Sequence, residues 1–249
     1  MEMTGEKKVK LIALDMDGTL LSPDHTISDE NVQAITEAQE LGVHVVLSTG
    51  RALASCRELS KSLNLNSYLV TVNGSEIYDE TGELIERNPI GTEHITMMHK
   101  LAMEHKARVW GVTSDKVWYE GLPEDIGAHE WLKFGFDFDD NDESRRIVLD
   151  ALSKTGMLEI TNSSPTNIEV NALGINKAKA LNIVCGRLGV TMGEMMAVGD
   201  SLNDIAMISE AGIGVAMGNA QETVKEAADW VTGTNIENGV AQAIRKWVL

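Results

Sequence analysis

The chain has 249 residues, 43% of them hydrophobic, which excludes a disordered polymer and allows one large domain or a mid-sized domain carrying a smaller one. The 38 acidic against 21 basic residues give a net charge of −17, which repels polyanions at long range and argues against nucleic acid as a partner. No apolar run is long enough to span a bilayer, the N-terminal MEMTGEKKVK lacks a signal-peptide pattern, and two distant cysteines, Cys56 and Cys185, suit a reducing compartment; the expectation is a cytoplasmic protein with no membrane partner.

VKLIALD (9–15) is a continuous apolar run ending in a carboxylate, as in a buried parallel strand. Ser28 is placed to cap a helix running to about Leu41, with Val32, Ile35 and Ala38 on one face and Gly42 as terminator. VHVVLS (43–48), a helix near 52–63 and YLVTVNG (68–74) complete a β-α-β-α-β rhythm, which predicts a parallel sheet with right-handed crossovers. EIYDETGELIE (76–86) then reads as a hairpin turning at residues 80–82. A helix near 93–105, a hairpin of ARVWGVT and KVWYE joined by Ser114 and Asp115, a helix near 142–153 and the pair MLEITNSS and TNIEVN follow. The first rhythm resumes at Asn176 with helices at 177–188, 202–210, 220–228 and 237–247, and strands at 194–200 and in GIGVAM. The expected fold class is therefore α/β: a Rossmann-like parallel-sheet core from residues 1–82 and 173–249, with an inserted α+β cap over 83–172.

Chemistry concentrates where the core strands end. Asp15-Met16-Asp17-Gly18-Thr19 follows the first strand, and open α/β sheets carry their sites at that rim. Two acids at i and i+2 before a turn glycine suit a hard cation such as Mg²⁺, although Asp and Gly are also ordinary turn residues. A second acidic group, Asp200 to Asp204 in GDSLND, ends another strand, and three convergent carboxylates call for a divalent cation. Asp200 or Ser201 is equally suited to capping the next helix. VVLSTGR (45–51) offers Thr49 to a phosphoryl oxygen, or merely a hydroxyl cap. Lys177 opens a helix where its ammonium reaches a phosphate, or else water.

These segments resemble the haloacid dehalogenase-like phosphatases, and among them the Cof-type hydrolases with a type IIB cap. DMDGTL (15–20), STGR (48–51), VNG (72–74), NKAKAL (176–181), GDSLND (199–204), GVAMGNA (214–220) and ENGVAQAI (237–244) occur in the family's order across nearly the whole chain. The resemblance implies Asp15 as nucleophile and Asp17 as general acid and later base. It implies Mg²⁺ on Asp15, the Asp17 carbonyl and Asp200. It further implies phosphate binding by Thr49, Lys177 and Asn203, with Asp204, Arg51, Gly18 and Asn73 in support. Ala178 stands where the family often has Gly.

The reading is a Mg²⁺-dependent phosphatase of small phosphorylated metabolites (a sugar phosphate, a phosphorylated vitamin precursor or similar), working through an aspartyl-phosphate. A phosphomutase of the same superfamily and a phosphorylatable signalling module are the alternatives, and nothing in the sequence specifies an oligomer. Of five Trp, three Tyr and three Phe, the seven from Trp110 to Phe138 lie in the inserted unit. Most are expected in its core, with Trp131 or Phe136 as candidates for shaping a leaving-group pocket. His94, His99 and His105 lack the i, i+4 spacing of a zinc site.

Overall fold

The computed structural model describes residues 9–249; residues 1–8, most of the stretch read for a signal peptide, lie outside the described residues. Strand β1 (Leu11–Leu14) is buried on both sides, because its alternate residues feed two different cores. Ile12 and Leu14 join one cluster, while Leu11 and Ala13 join the other. Helix α1 (Asp29–Glu40) begins where the Ser28 hydroxyl accepts the Asn31 N–H at 3.2 Å. That cap is worth about 1 kcal/mol.

Strand β2 (His44–Ser48), helix α2 (Leu53–Ser62) and strand β3 (Leu69–Thr71) continue the expected parallel rhythm. A 3₁₀ turn over Val72–Gly74 reverses the chain into β4 (Glu76–Tyr78) and then β5 (Leu84–Arg87), both antiparallel. Here the expected cap boundary at residue 83 needs correction. β5 is hydrogen-bonded to β4 in the larger sheet, so the chain leaves that sheet only after Arg87.

The inserted unit comprises α3 (Thr92–Glu104), β6 (Arg108–Thr113), β7 (Val117–Trp118), β8 (Trp131–Asp137), α4 (Asp142–Ser153), β9 (Leu158–Thr161) and β10 (Asn167–Ala172). Its five strands form an antiparallel sheet in the order β7-β6-β8-β10-β9. The central strand, β8, is absent from the sequence reading. Phe134 and Phe136 face helices α3 and α4 with Ile168 and Val170, whereas Lys133 and Gly135 take the opposite face by period-two alternation. A lysine between Leu132 and Phe134 and a glycine between Phe134 and Phe136 hide the strand, because Gly weakens strand character and Lys breaks the apolar run.

The chain re-enters the larger sheet through α5 (Lys177–Leu188), β11 (Met195–Gly199), α6 (Ile205–Glu210), β12 (Ile213–Ala216), α7 (Glu222–Ala227), β13 (Trp230–Val231) and α8 (Gly239–Trp247). The order is β13-β12-β11-β1-β2-β3-β4-β5, with α1 and α8 contributing to one buried cluster and α5 to the other. β1 lies between β2 and β11, both parallel to it. The order of winding reverses between β1 and β11, and at such a switch point the loops part to leave a crevice. Among the described residues, no helix is long and apolar enough to cross a membrane.

Candidate active site

Three neighbouring strands deliver the site: β1 leads into Asp15, β2 ends at Ser48 and leads into Thr49, and β11 leads into Asp200. The Asp15 N–H donates to Val198 O at 3.0 Å, which ties the two acidic loops together at their base. Carboxylate oxygens of Asp15, Asp200 and Asp204 then lie within 4.8 Å of one another.

Lys177 supplies the internal counter-charge. Its Nζ donates to Asp15 Oδ1 at 2.5 Å and to Asp204 Oδ1 at 2.6 Å, and the side chain is completely buried. Burial works against the ammonium, but Asp15 and Asp204 overcome it and hold the Lys177 pKa above the ordinary lysine value. Burial lifts the Asp15 carboxyl well above the ordinary range; Lys177 opposes that shift, while Asp204 and Asp200 reinforce it. Asp200 is pushed up to about 6, by burial first and then by the charge of Asp204.

Asp204 has its oxygens committed. Oδ2 accepts the N–H groups of Asp200 (2.9 Å) and Ser201 (3.0 Å), while Oδ1 accepts from Lys177. Asp200 is steadied by the hydroxyls of Thr19 (2.9 Å) and Ser201 (3.0 Å). Gly18 sits against it with φ +78°, and a Cβ there would fall 2.5 Å from Asp200 Oδ2. Glycine is therefore required twice at this position, for the left-handed backbone and for the space.

This donor set fits a small hard cation. Three carboxylates with one buried ammonium retain excess negative charge, and burial first, then the neighbouring carboxylates, holds Asp15 and Asp200 above the ordinary carboxyl range. Asn203 adds a buried Oδ1 with no hydrogen-bond partner among the described residues.

Asp17 stands apart from the triad. Its half-exposed carboxylate is gripped by Arg51 through Nε (2.8 Å) and an Nη (2.5 Å). Thr49 is fully buried, and its hydroxyl accepts the Arg51 N–H at 3.1 Å. Asn73 has φ +57° and joins the core to the inserted unit: its Oδ1 accepts from Asn203 (3.2 Å), and its Nδ2 donates to Glu169 (2.7 Å).

Sequence reasoning missed Lys133, Glu169 and Trp110. Lys133 Nζ donates to Gly50 O (2.7 Å) and to Glu169 (3.1 Å), and both side chains are about 3% exposed. Burial pushes the Glu169 carboxyl up, but Lys133, Ser163 and Asn73 together bring it below the ordinary value. The I-E-V-N alternation in β10 was the legible signal, since it sets Glu169 and Asn171 opposite the apolar face. The role expected of Trp131 or Phe136 is also corrected. Both are fully buried in the cap core, and the aromatic residues lining the cleft above Asp15 and Asp17 are Trp110 and Tyr119.

Residues 12–244 match the sequence pattern of the haloacid dehalogenase-like hydrolases. The 5-amino-6-(5-phospho-D-ribitylamino)uracil phosphatase of Bacillus subtilis is 62% identical over 241 residues, covering 97% of this chain and 96% of its own. A solved phosphatase of the same superfamily from Bacteroides thetaiotaomicron superposes with a TM-score of 0.85 at 28% identity, over 99% of this chain and 98% of that one. A solved subclass IIB sugar phosphatase gives 0.82 at 26% identity, over 96% and 98%.

Proposed function

The chain belongs to the haloacid dehalogenase-like hydrolases and is a phosphatase of small phosphorylated metabolites, and from that premise we propose that Asp15 is its nucleophile and a phosphorylated ribitylamino-pyrimidine its substrate. The observation that carries the chemistry is the buried constellation of Asp15, Lys177, Asp204 and Asp200 at the floor of a cleft. The substrate class rests on the 62% identity to the Bacillus subtilis enzyme across almost all of both chains.

Asp15 and Asp200 would hold a Mg²⁺ ion, with the Asp17 carbonyl as a further ligand; Asp204, whose oxygens already accept hydrogen bonds, orients Asp200, Ser201 and Lys177. The bound ion supplies positive charge against the oxygens of the transferring phosphoryl group. Lys177 fixes the Asp15 carboxylate for in-line attack on phosphorus. As the phosphorus–oxygen bond to the leaving group breaks, Asp17 gives its proton to the departing alkoxide. Asp17 then takes a proton from water, which attacks the aspartyl-phosphate and releases inorganic phosphate with Asp15 restored. Thr49 and Asn203 help place the phosphoryl oxygens, and Arg51 orients Asp17 until substrate arrives.

The direct assay is hydrolysis of 5-amino-6-(5-phospho-D-ribitylamino)uracil with Mg²⁺, beside a panel of sugar phosphates. The pyrimidine ester is expected to have the highest kcat/KM, and Asp15→Asn to abolish turnover with an unchanged circular dichroism spectrum. A sugar phosphate preferred over the pyrimidine ester would overturn the substrate. Turnover retained by metal-loaded Asp15→Asn would remove Asp15 from its role.

A further inference from the structure

The cleft between the two sheets encloses about 580 Å³ and runs from Asp15 and Asp17 up to the inserted unit, within the size range of small-molecule sites. Its upper wall is apolar and partly aromatic, formed by Trp110, Val112, Val117 and Tyr119. Trp110 is only half-buried. Directly across from it in the β6–β8 ladder lies Gly135. A Cβ on Gly135 would fall 2.0 Å from Trp110 Cε2, 2.3 Å from Nε1 and 2.5 Å from Cζ2. Atoms from both rings of the indole thus occupy the space of the missing side chain, so the ring lies across β8 at the glycine. Lys133 Nζ stands 4.7 Å from the ring centroid and helps hold it there.

We propose that Trp110, seated on Gly135, is the platform on which the planar ring of the leaving group stacks, making this pair the determinant of heteroaromatic specificity. The proposal rests on the pyrimidine substrate class above and adds the residues that read it. A π-face accepts a flat ring that an acyclic sugar phosphate lacks. The Lys133–Glu169 pair borders the same cleft, with Lys133 fixed beside the platform by its bonds to Gly50 O and Glu169.

The test compares kcat/KM for 5-amino-6-(5-phospho-D-ribitylamino)uracil with that for D-ribitol 5-phosphate, which carries the same phosphorylated chain without the ring. In the wild type the ratio favours the ring ester. Trp110→Ala is expected to lower that ratio about tenfold, the worth of one aromatic–base stack, and to do so through KM rather than kcat. Gly135→Ala keeps the indole but displaces it, and is expected to lower the ratio in the same way; Trp110→Phe retains most of it. Equal losses for both esters in Trp110→Ala and Gly135→Ala mean a structural role only and overturn the inference, as does an unchanged ratio. A wild type that prefers the ringless ester overturns the pyrimidine reading and this inference with it, whereas a wild type selective for the ring with unaffected variants overturns the inference alone.

Discussion

Single residues at the rim are constrained by space as much as by charge. Gly18 leaves no room beside Asp200, and Gly199 leaves none beside Asp204, whose Cβ would sit 2.5 Å from a Cβ added there. Gly18→Ala is expected to displace the Asp200 carboxylate and weaken Mg²⁺ binding about 10–100-fold, the usual cost of disturbing a ligand's support. Titration calorimetry measures this directly. Gly42→Ala is the control, because Gly42 also has a positive φ (+80°) but no atom within 4 Å of its missing Cβ. Both variants carry about 1–2 kcal/mol of left-handed strain, and only Gly18→Ala should lose the metal. The glycine, both acids and the switch-point strand before them were legible because a turn motif fell at the end of an apolar run. The burial of Lys177 was not, since an isolated lysine in a sequence does not disclose that two carboxylates from separate loops enclose it.

At the scale of elements, the core was legible and the face of the cap was not. Apolar runs ending in D-x-D-G, S-T-G-R and G-D-S mark β1, β2 and β11, and their parallel order follows from the helices between them. β8 escaped because Lys133 and Gly135 break its apolar run, and without that strand the pocket candidates Trp131 and Phe136 were set on the wrong face. That face carries the Lys133–Glu169 pair. Removing Lys133 leaves a buried carboxylate unpaired, so Lys133→Met is expected to destabilise the fold by about 3–5 kcal/mol. Glu169→Gln gives a pH signature. Glu169 has a depressed carboxyl, so its contribution is complete above the unfolded value of about 4.3 and is lost as pH falls through the lower folded value. The Tm gap between wild type and Glu169→Gln should therefore be full at neutral pH and shrink below about pH 4. A gap independent of pH would deny the ion pair.

At the scale of the molecule, the inserted unit is docked on the core through polar contacts that also frame the cleft. Asn171 donates to Val72 O, Ser75 to Leu132 O, and the Asn203 N–H to Asn162 O, at 3.0, 3.0 and 3.2 Å. A chain of net charge −17 presents an anionic metabolite with long-range repulsion, which the cations bordering the cleft and a bound metal must reverse locally. Mg²⁺ should accordingly raise the Tm, by about 2.7 kcal/mol of stability at a hundredfold excess over Kd, and chelation should stop turnover. Since Asp200 is lifted to about 6, metal-free stability falls as pH rises from the unfolded value of about 3.9 through 6, and the benefit of added Mg²⁺ grows over that window.

A covalent phosphoryl group on one particular aspartate is what separates this mechanism from direct attack by water. Rapid acid quench of the enzyme during turnover of the pyrimidine ester, followed by peptide mass mapping, reads it. The expected result is phosphate on the peptide containing Asp15 while substrate lasts, and none after it is exhausted. Phosphate on another residue, or an unmodified Asp15 throughout steady turnover by the wild type, would contradict it.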